Sequence, residues 1–219
     1  MQQEISLLTP YKDAIQFAQE LLSLPVYNVQ DITKNIHERT IRRRIKKLEE
    51  LGLAKYSRGK FTIKRVVSQP IFVLEQLIPS FTAFVRARRF GKFYRQTDIN
   101  FMLKNLPQNS IITLDYSAFE LTQFQLVREF FVYVDDVEKT AKFLKKNNFR
   151  EGTRGNVVLL PKTGSFTNKI ERIFLDCIAK GGRSTMDAIA IQLKYKNKIT
   201  IPARFTTEMI LKVQEDLSP

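Results

Sequence analysis

Residues 29–64 read VQDITKNIHERTIRRRIKKLEELGLAKYSRGKFTIK, and the fold turns on how this stretch is parsed. Ile41, Ile45, Leu48 and Leu51 recur at spacings of four, three and three, which lines them along one side of a helix over 38–51. At about 100° per residue, Arg39, Arg43 and Lys46 then leave from the opposite side, with Arg42 on a flank and Arg44 nearer the buried edge. Gly52 stops the helix. Beyond it, Leu53-Ala54-Lys55-Tyr56 and Lys60-Phe61-Thr62-Ile63 are short strand-like runs joined through Ser57-Arg58-Gly59, where glycine permits a tight hairpin. Upstream, residues 31–36 predict a short helix after the extended run 25–28, and a turn at Ile36-His37 leads into the arginine-rich helix. Between Lys34 and Arg65 lie twelve Lys or Arg against three acids, Glu38, Glu49 and Glu50. About two thirds of the net charge of +14 therefore falls in roughly a seventh of the 219 residues.

A basic amphipathic helix alone is often only a solvated surface. The basic hairpin after it and the short helix before it change that reading. The segment resembles the winged-helix transcription-regulator superfamily, with LEELGLAKYSRGKF standing where a recognition helix ends and its wing begins. In such proteins the recognition helix enters the major groove while the wing rests on the backbone. Arg39, Thr40, Arg42 and Arg43 are then the candidates for base edges, arginine being suited to a bidentate contact with guanine. Lys46, Lys47, Arg58 and Lys60 are candidates for phosphates, the last two on a wing over 55–63, and Arg44 is placed to snorkel out to a phosphate.

The length allows one large domain or two smaller ones with proper cores. We expect an α+β chain: an N-terminal winged helix-turn-helix over 1–70, the break falling near Pro70, and a mixed α/β C-terminal regulatory or interaction domain over 71–219. No run approaches the roughly 20 apolar residues of a membrane span, and MQQEISLLTPYKD lacks the basic start and apolar centre of a signal peptide, so a cytoplasmic protein with no membrane partner is expected. One cysteine, Cys177, excludes an internal disulfide framework. With a lone histidine, His37, it leaves no plausible zinc site of nitrogen and sulfur ligands, and neither metal nor cofactor is expected.

Elsewhere, residues 11–24 place Ala14, Ile15, Ala18, Leu21 and Leu22 on one helical face, fit to pack under the arginine-rich helix. From Ile71 to Pro107 the chain reads as helical, broken by Pro79 and Gly91, with Thr97 as a cap for a helix through Leu106. Its stretch SFTAFVRARRFGKFYRQ interleaves phenylalanines with arginines. Such a pattern can stack bases on a single strand, but phenylalanines at helical spacing more commonly build a core. Ile111–Leu114, Phe130–Val134 and Val157–Leu160 read as buried strands, with helices over 117–122 and 137–147 between them. The helix in NKIERIFLDCIAKGG buries Cys177 and ends at Gly181-Gly182, and Ser184 with Asp187 has the spacing of a capping box for the next helix.

A search for catalytic chemistry finds no glycine-rich phosphate loop, no Gly-x-Ser-x-Gly elbow and no pair of histidines. His37 sits in the turn before the basic helix, as a turn residue or phosphate contact. Asp135-Asp136 closes a strand. The acids are adjacent and hence on opposite faces, unlike the Asp-x-Asp that nucleotidyltransferases use after a Gly-Ser turn, so Asp136 is read as a helix cap and no catalytic residue is assigned.

The second half, IITLDYSAFELTQFQLVREFFVYVDDVEKTAKFL, then GNVVLLP, then IERIFLDCIAKGGRSTMDAIAIQL, resembles the AbiEi-like antitoxins and transcriptional regulators. The matching positions are Ser117-Ala118, Val132-Tyr133-Val134, and Leu175-Asp176 with Gly181-Gly182-Arg183. The resemblance implies an autoregulating repressor that binds double-stranded DNA upstream of its own operon, with a neighbouring nucleotidyltransferase-type toxin as partner; the alternative for a C-terminal domain of this type is a role only in DNA bending or homodimer formation. Two other readings stand beside it: a nucleotidyltransferase-like enzyme, and a protein-interaction module with a basic face.

Overall fold

A computed structural model describes residues 8–22, 27–32, 36–92, 95–162 and 168–217. The chain is a mixed α+β protein that divides into two compact units, Met1–Val85 and Arg86–Pro219. The sequence break lies near Pro70, whereas the compact division falls after Val85. A Cβ built on Gly52 would lie 3.1 Å from the Val85 side chain, so the end of the helix that follows Pro70 rests on the first unit's own turn.

In the first unit a 3-10 turn leads into α1 (Lys12–Glu20), followed by β1 (Tyr27–Asn28), α2 (Val29–Ile32), α3 (Glu38–Glu50), β2 (Ala54–Ser57), β3 (Lys60–Ile63) and α4 (Ile71–Val85). The strands form an antiparallel sheet in the order β1-β3-β2, with Tyr27 opposite Phe61 and Ala54 opposite Ile63. Phe17 of α1, Val29 of α2, Ile41 and Ile45 of α3 and Phe61 of β3 meet in one core, where the Phe17 and Phe61 rings stack at 6.4 Å. That core is the reason α3 turns its arginines outward. Helix α1 ends at Glu20 instead of reaching 24, and buries Phe17 where the pattern pointed to Leu21 and Leu22, which are half-buried. The short helix expected over 31–36 begins earlier, at Val29; residues 33–35 of that prediction, and 25–26 of the extended run, lie outside the described residues.

Helix α4 runs through Pro79 without breaking. Proline in a helix interior removes one hydrogen bond and costs about 3 kcal/mol. Val73, Leu74 and Leu77 before it and Phe81 and Ala83 after it are all buried, and burial at about 1.5–3 kcal/mol per large apolar side chain outweighs that cost.

The second unit holds β4 (Arg88–Phe90), α5 (Gln96–Lys104), β5 (Ile111–Thr113), α6 (Leu114–Thr122), β6 (Phe130–Val134), α7 (Val137–Lys146), β7 (Val157–Pro161), α8 (Lys169–Lys180), α9 (Arg183–Lys194) and α10 (Thr207–Leu217). Its sheet has the order β4-β7-β6-β5, with β6 and β7 parallel and the outer strands antiparallel. The parallel pair requires a crossover, which α7 supplies. Alternate residues separate the two faces. Phe130, Val132, Val134, Val157 and Leu159 pack with Ile99 and Met102 of α5 and Ala141 and Leu144 of α7. Tyr133 points the other way, to Arg172 and Asp176 of α8.

Four details differ from the sequence reading. Arg88–Phe90 is an edge strand, not helix, because it pairs with β7 across a long stretch of chain. Helix α5 starts at Gln96, so Thr97 is inside it and accepts a hydrogen bond from Arg95 Nε at 3.0 Å; the helix ends at Lys104, short of Leu106. Helix α6 begins at Leu114, held at φ 54° directly after β5, instead of at Ser117. Ser184 and Asp187 form no capping box: the left-handed Gly181 and Gly182 (φ 71° and 58°) turn the chain so sharply that α9 begins at Arg183, which leaves both residues buried inside it.

Candidate nucleic-acid interface

Helix α3 is capped by His37, whose Nδ1 accepts the Arg39 N–H at 3.2 Å and so satisfies one of the free amides of the first turn. Ile41, Ile45 and Leu48 are buried, which fixes Arg39, Arg43 and Lys46 on the solvent side. Thr40 is half-buried beside them.

The flanking cations are tied down. Arg42 donates to Glu38 Oε1 at 2.8 Å and to the Tyr56 hydroxyl at 3.1 Å, its guanidinium lying 5.8 Å from the Tyr56 ring centre. It thereby braces the helix against β2. A second brace is the Glu49 carboxylate, which accepts the Tyr56 backbone N–H at 2.7 Å. Asp13 of α1 gathers the other cations: Lys47 Nζ lies at 2.9 Å, Arg43 at 3.7 Å and Arg44 at 3.9 Å. The Lys47 hydrogen bond holds the Asp13 carboxyl below its ordinary range, against a smaller opposing effect of burial. Arg44 is largely covered, its guanidinium 5.3 Å from the centre of the Phe17 ring, and packs on the core instead of extending freely to solvent. Among the nine candidates, then, Arg39, Arg42, Arg43, Lys46, Arg58 and Lys60 stand exposed; Arg42 also braces the helix against Tyr56, Arg43 lies at the long edge of the Asp13 cluster, and the less exposed Arg44 and Lys47 position the helix. Asp13 and Tyr56 were not singled out from sequence. Their roles depend on α1 and β2 meeting α3, and the only local hint is an acid in the first turn of α1.

The hairpin between β2 and β3 closes with two residues, since Ser57 pairs directly with Lys60. Arg58 (φ 49°) and Gly59 (φ 81°) are both left-handed, the arrangement of a type I′ turn. An L-residue costs about 1–2 kcal/mol in this region, and asparagine tolerates it better. Arg58→Asn is therefore expected to raise the stability of the first unit by about 0.5–1 kcal/mol, read as a higher midpoint in thermal unfolding. A lower midpoint would show that the Arg58 side chain holds the turn together.

The acidic pair and the cysteine noted in the sequence have structural places. Asp136 Oδ1 accepts the Lys139 N–H at 2.8 Å and caps α7, while Asp135 lies 3.3 Å from Lys162. Cys177 is fully buried, and burial pushes its thiol up. Among the described residues no cluster of three His, Cys, Asp or Glu could hold a metal ion, and no helix is long and apolar enough to cross a membrane. Comparison with protein-family models, with curated proteins and with solved structures finds no match to the chain.

Proposed function

We propose that the chain is a double-stranded DNA-binding transcriptional regulator whose first unit works as a winged helix-turn-helix. The observation that carries this reading is the exposed row Arg39, Arg43 and Lys46 on a helix braced by its own hairpin, with Arg58 and Lys60 near the hairpin turn. Arg39 and Arg43 meet base edges in the major groove with Thr40 beside them. Lys46, Arg58 and Lys60 meet phosphates. Arg42, Arg44 and Lys47 set the angle and register of the helix through Tyr56, Phe17 and Asp13, so that α3 arrives pre-formed. The resemblance of the second half to AbiEi-like proteins supports the finer reading: an autoregulating antitoxin-type repressor with a nucleotidyltransferase-type toxin as partner.

The test is a gel-shift titration with the DNA upstream of the protein's own gene and an unrelated duplex of equal length, at two salt concentrations. Preference for the upstream DNA at both concentrations is expected. Arg43→Ala should lose about 1–3 kcal/mol on the preferred site and little on the unrelated duplex, as a base-reading arginine does. Equal losses on both duplexes would reassign Arg43 to a phosphate. Absence of DNA binding, with capture of an acidic protein instead, would replace this reading with an interaction module.

A further inference from the structure

The second unit has its own basic site. A cleft of about 830 Å³ lies between α5 and the turn that follows α7. Lys92 and Arg95 enter it from one side, Lys145 and Arg150 from the other, and Phe101 lines it between them. The one acid in its wall, Asp98, is turned inward: it is buried, accepts the Lys92 backbone N–H at 2.9 Å and lies 3.6 Å from Arg95. Lys145 is matched by Glu151 at 2.7 Å. Lys92 and Arg150 are exposed, and among the described residues no carboxylate stands within ion-pair distance of either.

Like charges converging on a concave surface attract a counter-anion, because the walls focus their field into the cleft. The N-terminus of the nine-residue α5 adds to that field. Its N-cap, Arg95, makes no side-chain cap, and both Arg95 and Thr97 belong to the cleft wall. Phe101, half-buried, supplies the remaining aromatic surface beside the cations; its ring also packs against Phe143 at 6.0 Å and Phe149 at 5.1 Å. Cations for a phosphate and a ring for a base, in a volume within the roughly 300–1,000 Å³ of ligand sites, define one ligand chemistry. We propose that this cleft binds a nucleoside phosphate, with Lys92, Arg95 and Arg150 on the phosphate and Phe101 against the base. The assignment is independent of the α3 interface.

The experiment is calorimetric titration of the full chain carrying Arg39→Ala and Arg43→Ala, which removes the base-reading cations of α3. ADP, inorganic phosphate and an eight-residue oligothymidylate are the probes. Adding Lys92→Glu and Arg150→Glu, at exposed positions with unchanged thermal midpoints, should weaken binding of ADP or the oligonucleotide at least about tenfold, since each loses a charge-assisted contact. Tighter binding of ADP identifies a free nucleotide as the occupant; tighter binding of the oligonucleotide identifies a nucleotide within a strand. The proposal is overturned if neither binds at millimolar concentration, if inorganic phosphate binds as tightly as ADP, or if the two charge reversals leave affinity unchanged.

Discussion

Asp176→Ala is expected to destabilise the second unit by about 3–5 kcal/mol, the range found when one partner of a buried ion pair is removed. Asp176 is completely buried on α8. Its Oδ1 accepts the Tyr133 hydroxyl at 2.9 Å and lies 2.9 Å from an Arg172 nitrogen, while Oδ2 accepts the Thr113 hydroxyl at 2.7 Å. Three elements, β5, β6 and α8, are thus pinned through one carboxylate. Burial, and then the neighbouring carboxylate, push the Tyr133 phenol well above its ordinary range, so it remains a donor at any physiological pH. Alanine in place of Asp176 would remove the carboxylate that lies 2.9 Å from the buried Arg172 guanidinium. Urea unfolding followed by near-ultraviolet circular dichroism reads the loss. Replacing the pair together, Asp176→Leu with Arg172→Met, should recover much of it, because no charge is then stranded. A loss below about 1 kcal/mol for Asp176→Ala would place the side chain among ordinary surface contacts.

Gly155→Ala should be nearly as damaging, for a steric reason. A Cβ at this position would lie 2.5 Å and 2.6 Å from the carbonyl carbon and nitrogen of Phe90, and still nearer its oxygen. Those are backbone atoms, so no side-chain rotation relieves the clash, and either β4 or the loop 151–155 must move. The segment is also fixed at both ends, by the Gly152 N–H to the Arg89 carbonyl at 3.0 Å and by the Phe130 N–H to the Asn156 carbonyl at 2.6 Å. Overpacking typically costs about 1–3 kcal/mol, and a clash with fixed backbone belongs at the upper end. Gly152→Ala is the control: a Cβ there meets nothing within 4 Å, and near-wild-type stability is expected. Amide hydrogen exchange should localise the Gly155→Ala damage to the β4–β7 pairing, with faster exchange at Val157 and Leu159. Equal stability of the two variants would contradict the close approach of Gly155 to Phe90.

Elements set by neighbouring residues were legible in the sequence. The 3.6-residue period of Ile41, Ile45 and Leu48 marks α3, the glycine after Arg58 marks the hairpin, and unbroken apolar runs mark β6 and β7. Long-range structure was not. Arg88 and Arg89 sit in a run of basic and aromatic residues that suits a helix. Strand β4 exists because Phe90 buries against β7 and because Arg88 finds Glu151, 63 residues later, and Glu138. On the outer surface of α3, the exposed arginines follow from the helical period. Which of them are also engaged by Asp13, Phe17 or Tyr56 follows only from how α1 and β2 pack on α3. The cleft shows the same limit, since Lys92 and Arg95 lie in one stretch while Lys145 and Arg150 join them only through the fold.

The strand order β4-β7-β6-β5 also dictates a timetable. Strands β5 and β6 are close in sequence and pair early, but the other edge of β6 stays open until β7 has been synthesised, and β4, made first, waits for the same strand. At about 5–20 residues per second, the ribosome takes roughly one to five seconds to pass from β6 to the end of β7. Once β6 has left the ribosome, and for an interval of the same length until β7 follows it out, the nascent chain presents FFVYV, every residue of which is buried in the finished protein, along an unpaired edge. That is the moment at which a chaperone would bind it.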